Sequence, residues 1–281
     1  MPRHQPIAVF DSGLGGLTVV RALRELLPHE SIIYLGDTAR VPYGTKSPQT
    51  VLRFTRECLR FLGTLDPKLM VVACNTASAL ALPHMQGEWP VPVVGVLEPG
   101  ARAAVAAAHA RGVRQVGLIA TEATVNSLAY PQAIARLDPR MQVMQRACPL
   151  LVPMIEEGRL DTDPIVGLVL REYLQPFSAM HLAAIILGCT HYPMLTDALG
   201  RLLGPGVALV DSAHETARQV ARELADLGQL APTHGDESGS LTCYVTDQGQ
   251  RFGLLATRFL GQPVGQPVWV APETLEQAGA S

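Results

Sequence analysis

Short unbroken apolar runs alternate with segments in which apolar residues recur every three or four positions. The runs are 7–10, 32–35, 69–73, 91–97, 116–120, 141–145, 183–187, 207–210 and 241–245. Runs of this length without polar alternation suit strands buried on both faces, as in a parallel sheet covered by helices. Between them, Val20, Leu23 and Leu27 fall at helical spacing. Ser47-Pro48 reads as an N-cap with proline in the first helical position, and Val51, Thr55, Cys58, Leu62 and Leu65 then repeat down one face. Segments 77–82, 101–110 and 213–227 carry further helix patterns. Strands alternating with helices predict an α/β fold of parallel layers.

The chain also echoes itself. Val71-Val72-Ala73-Cys74-Asn75-Thr76 and Ile185-Ile186-Leu187-Gly188-Cys189-Thr190 are each a buried run ending in cysteine and then a hydroxyl residue. Each is preceded, at a similar distance, by a run ending in hydroxyl and acid residues: Asp11-Ser12 before Cys74, and Thr121-Glu122 before Cys189. Two such halves predict two similar α/β lobes facing each other. The expected division is 1–97 with 206–281 as the first lobe and 98–205 as the second.

In an open parallel sheet, ligands bind beyond the carboxyl ends of the strands. Those ends carry Asp11, Asp37, Cys74, Glu98, Thr121, Cys189 and Asp211. Strands exit into polar loops in any case, which accounts for the carboxylates. It does not account for the cysteines, because a cysteine used as a small apolar filler sits inside strands or helices. Asp11-Ser12-Gly13-Leu14-Gly15-Gly16-Leu17-Thr18 follows a strand and opens a helix. Its glycines let backbone amides approach a ligand, and a helix N-terminus favours an anion. Thr18 stands where the dinucleotide fingerprint has its third glycine, and no Gly-Lys-Ser/Thr follows. A carboxylate or phosphate site and a plain tight turn both stay open.

Cys74-Asn75-Thr76 precedes a helix, whose N-terminus is expected to lower a thiol pKa from about 8.5. Asn75 and Thr76 offer donors to an anion. Cys189-Thr190-His191-Tyr192-Pro193 repeats that logic, with His191 placed to exchange protons or orient a ligand. Cys58, on an apolar helix stripe, and Cys243, inside a strand, read as core. Cys148 sits in a loop before Pro149. Glu156 taken singly reads as a surface helix residue, and His214 as part of a capped helix start.

Composition narrows the classes. A hydrophobic content of 48% and a charged content of 17% exclude wholesale disorder, and 281 residues suit two domains or one large α/β domain. A net charge of −3 argues against nucleic acid as a partner. The longest strongly apolar stretch, 182–187, falls far short of the roughly 20 residues that span a bilayer, and no signal-peptide core precedes Asp11. The expectation is a cytoplasmic protein with no membrane partner. Five cysteines, an odd number with no C-x2-C pair, argue against a disulfide framework and a structural metal. Lys46 and Lys68 are the only lysines and neither ends a strand, which argues against a pyridoxal-phosphate Schiff base.

Four motifs together resemble the glutamate racemases in order and spacing: the 11–18 stretch, Leu35-Gly36-Asp37-Thr38-Ala39-Arg40-Val41-Pro42-Tyr43-Gly44, Ala73-Cys74-Asn75-Thr76-Ala77-Ser78, and Gly188-Cys189-Thr190-His191-Tyr192-Pro193. The likeness runs from about residue 7 to residue 220. It implies two pseudo-symmetric α/β domains with the active site between them and the C-terminal segment returning to the first. It implies an isomerase that interconverts L- and D-glutamate without cofactor or metal, supplying D-glutamate for peptidoglycan and cell shape, with a homodimer left open. Carried over, Cys74 and Cys189 match the acid/base cysteines. Asp11 and Ser12, Tyr43 and Gly44, Asn75 and Thr76, and Thr190 and His191 match the substrate-binding pairs. Asp11, Asp37, Glu156 and His191 match residues that assist proton transfer or tune the thiols.

The chemistry fits these residue types. Racemisation removes the α-proton from one face and returns one to the other, and an opposed thiolate and thiol do this without a swinging base. The carbanion needs hydrogen bonds to its carboxylate and a dry site, for which Asn75, Thr76, Thr190 and the Ser12 amide are natural donors. Three other readings stay open: a racemase for aspartate or another acidic amino acid, a non-catalytic anion-binding module, and a redox pair of cysteines.

Overall fold

Every one of the apolar runs forms a strand: β1 (Ile7–Asp11), β2 (Ile32–Gly36), β3 (Leu69–Val72), β4 (Val93–Gly95), β5 (Gln115–Ala120), β6 (Gln142–Ala147), β7 (Ala184–Gly188), β8 (Ala208–Asp211) and β9 (Leu241–Val245). A tenth, β10 (Val268–Trp269), is two residues long and mostly exposed, so it leaves no apolar run to detect. The computed structural model describes residues 2–232, 238–247, 249 and 252–278. β1, β3 and β7 are buried along their whole length, as strands covered by helices on both sides must be.

The strands form two parallel sheets, ordered β10-β9-β2-β1-β3-β4 and β6-β5-β7-β8. The internal echo is visible in that order. β2-β1-β3-β4 and β6-β5-β7-β8 are the same arrangement, with β5 in the place of β1 and β7 in the place of β3. The two cysteine-tipped strands are therefore equivalent. The C-terminal segment extends the first sheet by laying β9 on β2, Ile32 opposite Leu241 through Gly36 opposite Val245.

One boundary differs from expectation. The sequence places the return to the first lobe at residue 206, yet β8 pairs with β7, Ala184 opposite Ala208 through Leu187 opposite Asp211. Residues 208–211 supply the fourth strand that the repeat requires, and the chain leaves the second sheet only after Asp211. There the Asp211 carboxylate accepts from the Ala213 amide (2.8 Å) and caps the helix Ser212–Asp226. That helix packs against both Leu17–Leu26 and Leu97–Arg111, tying the lobes together.

Local signals otherwise hold. Ser47 caps Pro48–Gly63, accepting from the Thr50 amide, and Val51, Thr55, Cys58 and Leu62 face the core; Leu65 lies just beyond the helix end. His214 turns back to Asp211 at 3.0 Å in the first turn of its helix. Lys68 is fully buried and paired with Glu30 at 2.5 Å. Among the described residues, no helix is long and apolar enough to cross a membrane.

Candidate active site

The two sheets point the ends of β3 and β7 into one cavity of about 310 Å³. Cys74 and Cys189 both line it, together with Ser12, Tyr43, Gly44, Asn75, Thr76, Thr190, His191 and Glu156. A larger groove of about 1000 Å³ shares none of these lining residues and is bounded by both lobes, by Leu82 and Trp89 on one side and Gln132 and Arg136 on the other. It holds Glu98, ion-paired with exposed Arg136 at 2.6 Å, and neither cysteine.

Cys74 is the N-cap of the helix Asn75–Leu80, its sulfur accepting weakly from the Ala77 amide at 3.5 Å. The expectation of a lowered thiol pKa fails here. Burial pushes the Cys74 thiol up to about 12, reinforced by the nearby Asp11 charge and opposed by bonds from Ser12 and Ala77. A short helix end offers only partial charges, whereas loss of water acts on the full thiolate charge.

Cys189 has a different neighbour. His191 Nδ1 lies 3.9 Å from its sulfur, and Nε2 lies 3.0 Å from Glu156 Oε1. Burial alone would lower the imidazole pKa, but the Cys189 sulfur and the Glu156 carboxylate outweigh it and raise His191 to about 10. The free imidazole value is 6.5. This interaction therefore stabilises the fold fully below about pH 6.5 and is lost as pH climbs through about 10. Racemase activity, on the reading proposed below, is expected to fall along an alkaline limb near pH 10. Glu156→Gln removes one of the two acceptors and moves that limb to lower pH. A pH profile of kcat/KM for both forms checks this; superimposable profiles would exclude Glu156 from control of the site.

A family model for Asp/Glu/Hydantoin racemases matches residues 17–220. The chain belongs to that family. Glutamate racemase from Geobacter metallireducens is 48% identical over 267 residues, spanning 95% of this chain and 97% of its own. Glutamate racemase from Thermus thermophilus is 51% identical over 259 residues, 92% of this chain and 93% of its own. The crystal structure of glutamate racemase from Francisella tularensis in complex with D-glutamate superposes with a TM-score of 0.88 at 37% identity, covering 97% of this chain and 99% of that one.

In this member of the racemase family the glycine-rich loop has an unexpected occupant. The Gly13 amide donates to Asp11 Oδ2 at 3.0 Å, and the Ser12 and Gly16 amides bear on the same carboxylate. The loop thus holds its own anion. Burial raises the Asp11 pKa, opposed by His191 and those amides, and Asp11 stands behind the cavity wall rather than in it. Gly15 meets the other lobe: a Cβ there would clash with His191 Nδ1 and the Thr190 hydroxyl. Thr18 Oγ1 fastens the contact by donating to the Thr190 carbonyl at 3.1 Å.

Asp37 is not brought to the cavity. Its fully buried carboxylate accepts from Arg40 Nε (2.7 Å), the Tyr43 hydroxyl (2.6 Å) and Thr246 Oγ1 (3.0 Å), so it anchors the Tyr43-Gly44 loop to β9's end. Asp37→Asn takes from the largely buried Arg40 one of its two carboxylate partners and leaves it paired with Glu57. The expected result is a loss of about 1.5–3 kcal/mol of stability, the range for hydrogen bonds to a charged group, with a raised KM. Thermal unfolding alongside steady-state kinetics checks it; full stability with only kcat reduced would instead assign Asp37 to proton transfer.

Three residues escaped the sequence reading of the site. Thr121, noted only as a strand end, caps the helix Glu122–Asn126, lines the cavity and meets Thr76 across the lobes at 3.0 Å. Phe259, from the helix Phe252–Leu260, stands edge-on to His191 with ring centroids 4.8 Å apart. Its neighbour Arg258 donates to the Ile155 carbonyl at 3.0 Å, one residue before Glu156. Tyr130 bonds Asn75 from the second lobe. The hydroxyl at a strand end signalled Thr121; an aromatic ring in an apolar helix stripe signals nothing beyond core.

Proposed function

We propose that this protein is a cofactor-independent glutamate racemase that passes the α-proton between Cys74 and Cys189. The observation that carries this is the pair of cysteines, at equivalent strand ends of two repeated sheets, lining one small cavity. The relatives named glutamate racemase cover nearly the whole chain and support glutamate over aspartate.

The two cysteines act as a pair, one as base and the other as acid. For one enantiomer Cys189, with His191 beside it, acts as the base that removes the α-proton. Cys74, kept protonated by burial, returns a proton to the opposite face. Turnover leaves Cys74 as thiolate and Cys189 as thiol, the state that serves the other enantiomer. Asn75, Thr76, Thr190 and Ser12 supply donors to the substrate carboxylates, which stabilise the charge developing on the carbanion. Neither lysine lines the cavity: Lys68 is committed to Glu30, so a Schiff base has no amine to form on. In this reading the product D-glutamate supplies peptidoglycan synthesis in the cytoplasm.

Incubation with L- or D-glutamate in D2O, without added cofactor, tests the reading directly. Both enantiomers should exchange the α-proton for deuterium while optical rotation decays to zero. Reaction of aspartate but not glutamate would keep the chemistry and overturn the substrate. Inertness of both under reducing conditions would favour the anion-binding module.

A further inference from the structure

Tyr130 lies in the helix Ala129–Leu137 of the second lobe and is fully buried. Its hydroxyl crosses to the first lobe and donates to Asn75 Oδ1 at 2.6 Å. The Ser212 hydroxyl, 3.4 Å away, is its second neighbour. Asn75 follows Cys74, is 4% exposed and lines the cavity. A carboxamide bound through its oxygen on one side presents its NH2 on the other. Reversed, it would set a carbonyl oxygen against an anionic ligand, with neither group supplying a proton.

We infer that Tyr130 is a positioning residue that fixes the Asn75 side chain with its NH2 toward the cavity, as a donor to a substrate carboxylate. This rests on the racemase reading above. Burial raises the Tyr130 pKa above the usual phenol value, so the hydroxyl stays a donor throughout the working pH range. The bond also spans the two lobes, so the orientation of a first-lobe donor is set by a second-lobe hydroxyl. Ser212 closes the arrangement from the start of the helix that ties the lobes together.

Tyr130→Phe removes one oxygen and keeps the ring, so the apolar packing of the helix survives. KM for glutamate should rise about ten-fold or more, the effect of losing one hydrogen bond to a charged group, while kcat changes less. The melting temperature should stay within a few degrees of the parent. A double-mutant cycle then isolates the route of the effect. Asn75→Ala should weaken KM at least as much, and Tyr130→Phe added to Asn75→Ala should cost less than about two-fold further. A Tyr130→Phe enzyme with parental kinetics overturns the inference. So does an equal penalty in both backgrounds, which is what a merely structural tyrosine would give. Calorimetric titration with D-glutamate separates this from the racemase reading. If the parent binds glutamate without turnover and Tyr130→Phe weakens binding, the inference survives and the racemase reading falls. If the parent does not bind glutamate, both fall.

Discussion

Replacing either Cys74 or Cys189 by serine should reduce racemisation of both glutamate enantiomers by about 10²–10⁴-fold or more, the range typical of losing a positioned acid or base. A serine hydroxyl occupies the same place and still packs, but it neither ionises near neutral pH nor matches the acidity of its partner thiol. The loss must be shared by the two directions. L- and D-glutamate are equally stable in solution, so kcat/KM in one direction equals kcat/KM in the other for any variant. Both single substitutions should therefore lower both values together, even though Cys74 and Cys189 stand in different surroundings. A single variant that keeps the parental rate would leave one base working alone. All five cysteines are free thiols in the structure, so activity should persist in excess dithiol. Loss of activity on reduction would instead favour the redox pair.

Gly15→Ala should be nearly as damaging although residue 15 offers no chemistry. The added methyl would enter the space of the His191 ring and the Thr190 hydroxyl, both buried and both on the opposite lobe. Relief requires the lobes to part or the imidazole to turn away from Cys189 and Glu156. Overpacking of this kind costs about 1–3 kcal/mol. Displacing a proton-transfer partner by about 1 Å costs about 10²-fold in rate. Thermal unfolding and kcat/KM for glutamate measure the two effects together. A variant with parental melting temperature and rate would show that the lobes do not close on Gly15 in solution.

The strands were legible because a chain segment buried on both faces must be apolar throughout, whatever it packs against. The cap at Ser47-Pro48 and the two strand-end cysteines were legible for a related reason. Caps and strand exits are governed by residues a few positions away. The repeated cysteine-then-hydroxyl pattern even foretold two equivalent sheets.

Other features depended on which distant segments meet. β8 reads the same for either sheet, and only its partner β7 assigned it to the second. At a strand end Asp37 reads as a site carboxylate, but Arg40, Tyr43 and Thr246 all donate to it away from the cavity. The Cys74 thiol, expected to be acidified by its helix, is instead held protonated by burial. Glu156 and His191 lie 35 residues apart, and Tyr130 and Asn75 lie 55 apart, with no spacing rule to join them. Periodicity and capping are short-range consequences of backbone geometry and water. Desolvation, charge proximity and the aim of a donor depend on packing between segments far apart in the chain, and at this site they set the protonation of Cys74 and the orientation of Asn75.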